Sequence, residues 1–480
     1  MDETVSRTTA SQVGQASLLL PAIVALGNFM TGLDQNVVIT ALPAIGRSLG
    51  EAPTTLGLTL TAYIAALIIA LPLGGWASDR FGARRAYGFA VLVFTTASVL
   101  CGFADTFWQL VAARILQGLG GALMGTVGQV VILSSFPRDR TLKINVYISL
   151  ASQVAPMVGP IVGGLLATYL SWRWIFFVNL PIGLLAAAIA GSLFPASVSD
   201  HASPLDVPGL MLTGCGTALL VFGMNGIADQ TFSGWAVAGQ LVTGLALLTL
   251  AVRHSLRARH PMLDMRLLSI RTFRISLLTG GGPDTIGMTA VMFVLPLMLQ
   301  VGFGMSAAHA GSLTFLAAGG SVSARVFLPM LLRRFGFRRL LIVNTPIVTA
   351  VIAAFALIEP STPGWLVGGL IIVFGVFRSW QWGATGNLAY ADVPPETLAR
   401  FSAMYWVLWQ LAVALGIGAA SAVLALLAGR QPGLTTASFH AAFVIVALVT
   451  LLALVAYGRL RDEDGQVVSG HRSEQPRAAA

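Results

Sequence analysis

Charge is what this sequence has least of. Asp, Glu, Lys and Arg make up 10% of its 480 residues, against about 25% in an ordinary soluble domain. A soluble chain of this length could not cover its surface with so few charges. That excludes a cytosolic enzyme, a disordered chain and a nucleic-acid binder. Cysteine is nearly absent: Cys101 and Cys215 both fall inside apolar runs, leaving neither a disulfide framework nor a metal-ligand spacing. No G-x-x-x-x-G-K-[ST] loop occurs, so ATP is not the expected energy source. No nucleophile–base constellation stands out. The histidines, among them His201, His254 and His260, lie in or near loops, away from cysteine and carboxylate clusters. Neither a metal nor a cofactor is expected.

Apolar residues (AVILMFWYC) are 56% of the chain, and they come in long runs. A membrane helix needs about 20 of them. Cutting at charges and Gly/Pro clusters gives fourteen runs: 18–42, 55–76, 86–103, 108–133, 144–168, 174–195, 208–227, 236–252, 274–300, 308–332, 340–358, 364–390, 401–428 and 438–457. The first lacks a short core followed by a small-residue cleavage site, so it reads as a retained span rather than a signal peptide. An even number of spans puts both ends on one side. With that side cytoplasmic, the inner segments hold 22 of the 28 Lys and Arg, and the outer loops hold Arg47, Arg173 and Arg430. Arg472 and Arg477 close the inner set. The bias supports cytoplasmic termini, and it explains the +9 net charge without a nucleic-acid partner.

The chain repeats itself. GWASDRFGARR starts at Gly75 and PMLLRRFGFRRL at Pro329. Both place Arg-Phe-Gly-x-Arg-Arg in a short inner loop, after spans 2 and 10. Spans 1–6 therefore correspond to spans 9–14, and spans 7 and 8 are inserted. The expected organisation is a tail at 1–17, a six-helix bundle at 18–195, two inserted helices and a loop at 196–273, a second bundle at 274–457 and a disordered tail at 458–480. Parallel six-helix repeats mark one large transporter architecture.

Four blocks carry a family resemblance. After span 2 stand Gly75, Asp79, Arg80, Gly82, Arg84 and Arg85. Span 1 reads Leu33-Asp34-Gln35-Asn36 and continues to Ala41-Leu42-Pro43. Span 4 carries Arg114, Gln117, Gly118 and Gly121. Span 5 carries Pro156, Gly159, Pro160, Gly163 and Gly164. These resemble the loop G-x-L-A-D-R-x-G-R-R and the blocks L-D-x-T-V-V-N-V-A-L-P, R-x-x-Q-G-x-G-x-A and G-x-x-x-G-P-x-x-G-G. The chain is thus similar to the major facilitator superfamily, specifically its fourteen-span drug:proton antiporters. The resemblance implies an all-α membrane fold of two six-helix bundles plus two additional helices. It implies proton-driven export of small amphiphilic compounds by alternating access, in a bacterial inner membrane, with a monomer admitted.

The resemblance also assigns roles. The loop after span 2 would latch the outward-open state; basic residues suit any inner loop, but topology alone does not require Asp79. Asp34 is a carboxylate inside the membrane, a functional candidate by its cost. Arg114 lies at a similar depth and could pair with it, either permanently or to tune its proton affinity. The span 5 block separates exporters from uptake carriers. Trp172 and Trp174 open span 6 and suit an interfacial anchor. For the substrate cavity the candidates are Asp284, Arg378, Trp380, Gln381, Tyr405, Trp409 and Gln410, weighed against plain packing. Asp284 either selects cations or pairs with Arg378. A dedicated exporter of one metabolite or peptide, a non-transporting sensor on the same scaffold and, third, a membrane enzyme remain as alternatives.

Overall fold

In lipid every backbone N–H and C=O must be satisfied within the chain, which leaves helices as the economical solution for apolar runs of this length. The computed structural model of the chain describes residues 2–136, 138–194, 205–229, 233–258, 261–394, 398–428 and 434–471. Side chains are described from residue 19 on, apart from most of 133–153, 398–400 and Val467. Arg430, Arg472, Arg477, His201 and His260 lie outside the described residues.

The first bundle consists of span 1 (Asp2–Leu49), span 2 (Gly57–Ala70, continued after a 52° bend by Leu73–Phe81), span 3 (Ala83–Gly102), span 4 (Phe107–Ser135), span 5 (Arg138–Tyr169) and span 6 (Trp174–Phe177 and Asn179–Leu193). Span 7 (Val207–Asp229) and span 8 (Gly234–Arg257) form a hairpin. The second bundle consists of span 9 (Arg271–Gly302), span 10 (Ala307–Arg325), span 11 (Leu328–Ala354), span 12 (Gly364–Ala391), span 13 (Leu398–Ala428) and span 14 (Thr436–Leu451 and Ala453–Tyr457). Eleven of these helices are long and apolar enough to cross a membrane, and bent span 2 makes a twelfth. Spans 5 and 10 join them by their place in the repeat. Helix starts follow their caps: Thr106 and Gln109 form a capping box at span 4, and Ser233, Ser306 and Thr435 cap spans 8, 10 and 14.

The repeat is present in three dimensions. Span 1 packs on spans 5 and 6, span 2 on 4, and span 3 on 4 and 6; correspondingly, span 9 packs on 13 and 14, 10 on 12, and 11 on 12 and 14. Gly82 and Gly336, 254 residues apart, both take a positive φ, 82° and 69°. That conformation turns the chain between consecutive helices and favours glycine. It is why both loops read Phe-Gly. The two turns mark one end of the molecule, here the basic end. The bundles meet along spans 5 and 10 and spans 2 and 13. The inserted span 7 lies against spans 2 and 13.

Four details differ from expectation. Span 10 ends at Arg325 rather than 332, and a new helix starts at Leu328, with a proline in its first turn, and runs into span 11 across Gly336. Span 9 is not one regular helix: π turns occupy Ile275–Thr279 and Met298–Gly302. The segment 458–471 is folded, not disordered. Its acidic turn meets the arginines at the basic end: Arg338 Nη1 lies 3.2 Å from Asp462 Oδ1, and His471 Nδ1 is 2.9 Å from the Arg333 carbonyl oxygen. Finally, His254 is not isolated from carboxylates. The span 7–8 hairpin brings its Nε2 within 2.8 Å of Asp206 Oδ1. Partial burial pushes the Asp206 carboxyl up, but the Gly209 amide, His254 and the Met262 amide outweigh it and hold the group below its ordinary value.

Candidate functional site

Span 1 buries Asp34 against spans 4 and 6, with 1% of the residue exposed. Arg114 Nη1 donates to Asp34 Oδ2. Gln117 Nε2 donates to Oδ1 at 2.8 Å and Asn179 Nδ2 to the same oxygen at 3.4 Å. Spacing sets this up: Arg114 and Gln117 are three apart and share a helix face, with Arg114 Nη1 also 2.7 Å from Gln117 Oε1. Arg114 is fully buried and reaches the Thr59 carbonyl at 3.3 Å. Its guanidinium lies 4.2 Å from the Tyr63 ring centroid. Two opposite charges removed from water survive only when most donors and lone pairs are used; in this cluster both Asp34 oxygens are bonded, while Arg114 Nη2, Asn179 Oδ1 and the Tyr63 hydroxyl are without a partner among the described residues.

Sequence reading missed Asn179, which also donates to Ser98 Oγ at 3.0 Å. It stood inside the stretch assigned to interfacial anchoring. A buried amide in a membrane helix was the available signal. The anchoring role fits exposed Trp174; Trp172 is only 4% exposed, because it packs edge-on against Phe176.

Glycines let the helices around this cluster approach. A Cβ on Gly118 would lie 2.3 Å from the Tyr63 carbonyl oxygen, and one on Gly121 3.0 Å from the Tyr63 hydroxyl. The span 5 block divides its work. Gly159 and Gly163 face span 1, where a Cβ would meet Asn36 Cβ and the Val37 carbonyl oxygen, each at 2.6 Å. Gly164 faces the other bundle: its Cβ would lie 2.5 Å from the Ala307 carbonyl oxygen in span 10. Reciprocally, a Cβ on Gly311 would meet the Pro160 carbonyl oxygen at 2.2 Å. Pro156 and Pro160 both lie within the continuous helix of span 5. Two hydrogen bonds join the bundles nearby, Ala308 N to Thr168 Oγ1 and Gln300 Nε2 to the Thr40 carbonyl, both 3.0 Å. All of these contacts lie away from the basic end.

The loop at the basic end is looser. Half-buried Asp79 forms no ion pair among the described residues, and Arg80 and Arg85 are exposed. Arg84 Nε donates to the Phe194 carbonyl at 2.7 Å, tying span 3 to the end of span 6. A Cβ on Gly75 of this loop would meet nothing within 4 Å. The tight position is Gly74, whose Cβ would lie 1.7 Å from Thr126 Oγ1 of span 4.

In the second bundle Asp284 and Arg378 do not pair. Arg378 donates to Met292 Sδ at 2.9 Å and to Ser321 Oγ at 3.2 Å. Its guanidinium lies 5.9 Å from the Trp382 ring. Asp284 is 3% exposed and faces spans 12 and 14, so it does not present an open cation site either. Gln381 is sealed in the same region, bonded to Asn344 and Thr345. Trp380 points away, its Nε1 donating to the Ala324 carbonyl at 2.7 Å. Trp409 stacks on Trp382 at 5.5 Å, with Trp406 edge-on at 5.3 Å. Tyr405 packs on Tyr390. Gln410 is buried, with its Oε1 unpartnered. Of the expected cavity residues, Trp409 and Arg378 thus share a neighbour in Trp382, and Trp382 is itself 38% exposed.

Comparison with known proteins bears on the fold and the family. The model of the Major Facilitator Superfamily matches residues 24–417. Relatives named "Putative multidrug resistance protein MdtD" include one from Salmonella paratyphi B, 30% identical over 453 residues, covering 92% of this chain and 95% of the relative. Another, from Klebsiella pneumoniae, is 32% identical over 450 residues, covering 92% and 94%. Among solved structures, a D-xylose-proton symporter superposes with a TM-score of 0.65 at 16% identity, covering 93% of this chain and 98% of its own. An auto-inhibited POT family peptide transporter gives 0.64 at 17% identity, covering 94% and 98%.

Proposed function

This chain belongs to the major facilitator superfamily of membrane transporters, and on that premise we propose that it is a proton-coupled antiporter that exports small amphiphilic compounds. The observation that carries the reading is the Asp34 cluster. A carboxylate held by Arg114, Gln117 and Asn179 is a group whose proton affinity depends on whether those donors stay in place. Those donors stand on spans 4 and 6, so a movement of these helices against span 1 changes the partners of the carboxylate. Coupling the two conformations to the two protonation states is what proton antiport requires. The proton-motive force then supplies the energy and no cofactor is needed.

Sidedness follows from the arginines. With both termini cytoplasmic in a bacterial inner membrane, the basic end faces the cytoplasm. The contacts of Gly164 and Gly311 between the bundles then close the outer side, so this conformation opens inward. Asp34 paired with Arg114 is the state after proton release to the cytoplasm. Substrate would bind between the bundles, where the Trp382–Trp409 stack offers flat apolar surface to an amphiphile. The names of the relatives support efflux of several compounds, and a dedicated exporter would use the same parts.

Everted vesicles test the proposal. A panel of amphiphilic drugs is added under an imposed pH gradient, and dissipation of the gradient is read by a fluorescent pH probe. At least one compound is expected to collapse the gradient with the wild type and not with Asp34→Asn. If every active compound collapses it equally with the variant, Asp34 is not the coupling group.

A further inference from the structure

Each bundle buries one carboxylate at the same trio of helices. Asp34 of span 1 faces spans 4 and 6; Asp284 of span 9 faces spans 12 and 14, the equivalents in the second repeat. The surroundings differ in one respect. Asp34 has a guanidinium, and Asp284 has no cation beside it among the described residues. Its Oδ2 receives the Tyr457 hydroxyl at 3.4 Å and its Oδ1 has no hydrogen-bond partner. Gln381 lies alongside as a polar neighbour of the carboxyl, and its Nε2 donates one of its two protons to Thr345 Oγ1 at 2.8 Å.

We propose that Asp284 is a second proton-binding site, belonging to the C-terminal bundle and loaded in the conformation described here. What a bound proton would do during transport rests on the antiport reading; that it binds does not. The argument begins with cost. An unpaired charge is costly to hold in a membrane, and the long hydrogen bond from Tyr457 does little to offset it. The groups on the elements packed against span 9 leave it unpaired. Arg378 of span 12 is turned to Met292 and Ser321. His440 of span 14 is bonded to the Ile358 carbonyl oxygen. Arg325 of span 10 and Tyr405 of span 13 form neither an ion pair nor a hydrogen bond with Asp284 among the described residues.

The hydroxyls nearby point the same way. Thr385 Oγ1 donates its one proton to the Gln381 carbonyl at 2.8 Å. It can therefore only accept from Tyr457, 3.3 Å away. If Tyr457 gives its one proton there, its oxygen is free to accept, and the group that faces it is Asp284. A protonated Asp284 supplies the missing donor, and the row closes: Asp284 to Tyr457 to Thr385 to the Gln381 carbonyl. An ionised Asp284 takes the Tyr457 proton for itself and leaves Thr385 Oγ1 without a donor.

The local backbone gives this proton something to act on. The π turn Ile275–Thr279 ends at Gly280, one turn before Asp284, and a Cβ on Gly281 would lie 1.6 Å from the Ser276 carbonyl oxygen. Single π turns inside α-helices are frequent at functional sites. Charging Asp284 would demand new donors, and span 9 is the element able to move toward them.

Infrared spectroscopy on the purified full-length protein in detergent decides the matter without any substrate. A neutral carboxylic acid absorbs at a carbonyl frequency that carboxylates and amides do not share. At neutral pH the wild type is expected to show such a band, Asp284→Asn to lose one carboxyl's worth of its area, and Asp34→Asn to keep it. Tyr457→Phe, which removes the hydrogen-bond partner and not the acid, is expected to keep the area and shift the frequency upward. It provides the decisive reading should Asp284→Asn be poorly folded. A band unaltered by Asp284→Asn, or by Tyr457→Phe where the first variant cannot be purified, overturns the proposal. Failure of the antiport reading would show elsewhere, as gradient collapse by Asp34→Asn vesicles.

Discussion

Gly163 and Gly164 are neighbours in sequence, and their alanine variants should fail in different ways. A Cβ at Gly164 would stand 2.5 Å from the Ala307 carbonyl oxygen, 3.0 Å from the Ala307 carbonyl carbon and 3.0 Å from Ala308 Cα. All three are backbone atoms of the opposite bundle, so no side chain can rotate aside. Relief comes from moving the bundles apart. Overpacking of this kind costs about 1–3 kcal/mol. The cost falls only on the conformation in which spans 5 and 10 touch, so it enters the conformational equilibrium directly, as a shift of about 5–150-fold. Gly163 differs: its Cβ would meet the Val37 carbonyl oxygen at 2.6 Å, within its own bundle. There the same cost burdens both conformations and appears as lost stability. The assay is a distance measurement between spin labels at Tyr169 and Phe303, at the ends of spans 5 and 9, combined with thermal unfolding. Gly164→Ala should move the distance distribution to longer values with little change in Tm. Gly163→Ala should lower Tm with the distribution intact. Gly191→Ala, where nothing lies within 4 Å, is the neutral control. A wild-type distribution for Gly164→Ala would refute the reasoning.

Other expectations follow from the same geometry. Orientation can be read with single cysteines at His309 and Arg334, in a background lacking Cys101 and Cys215; residues 304 and 336 are avoided because both have positive φ. An impermeant thiol reagent on intact cells should label position 309 and not 334, and the reverse pattern contradicts cytoplasmic termini. Asp34→Asn leaves fully buried Arg114 without its counter-charge, so a loss of about 3–5 kcal/mol of stability is expected beside the loss of gradient-driven export; an unchanged Tm would argue that water reaches the pair. Asp79→Asn should leave Tm of this conformation unaltered, since Asp79 has no ion-pair partner among the described residues, yet lower the turnover rate more than substrate affinity. A pure affinity loss in detergent binding would exclude the latch role. Gly74→Ala should destabilise through its contact with Thr126, and Gly75→Ala should not, as thermal unfolding of the two variants will tell.

Much of this was legible because the membrane simplifies the reading. Apolar runs located the spans, and one Arg-Phe-Gly repeat pointed to the internal symmetry, whose two loops both turn at a glycine of positive φ, Gly82 and Gly336. Asp34 and Arg114 lie at similar depth, and the pair that depth allowed is the one formed. The second bundle resisted the same method. Depth put Arg378 within reach of Asp284, but depth says nothing about azimuth, and Arg378 faces Met292 and Ser321 instead. Asp284 meets Tyr457, 173 residues later, a residue that hydropathy treated only as the end of span 14. Irregular turns were equally hidden. The π turns of span 9 are compatible with the same apolar composition as a regular helix, so no run length reveals them.

The two halves also show how a repeat diverges without losing its geometry. In the first loop Asp79 sits beside Arg80, Arg84 and Arg85; in the second the matching position is Arg333, and four arginines crowd one turn. Like charges so placed repel, yet the turn at Gly336 has the same backbone as its partner. The opposing charge comes from 458–471. Asp462 reaches Arg338 at 3.2 Å, and Asp464 lies 4.0 Å from Arg271 at the entrance of span 9. Pairs as exposed as Arg338–Asp462 contribute about 0–1 kcal/mol, too little to explain why the segment folds. Packing supplies the rest. Gly465, at φ 73°, brings the chain so close to Phe337 and Leu388 that a Cβ would fall 2.6 Å from the Phe337 ring. In the first repeat the acid is built into the loop and free to change partners when the bundles move. In the second it is delivered by a separate segment, with the loop, span 12 and the mouth of span 9 held together. On the antiport reading proposed above, the first loop would then be the one to make and break a contact between bundles, with the second held within its own.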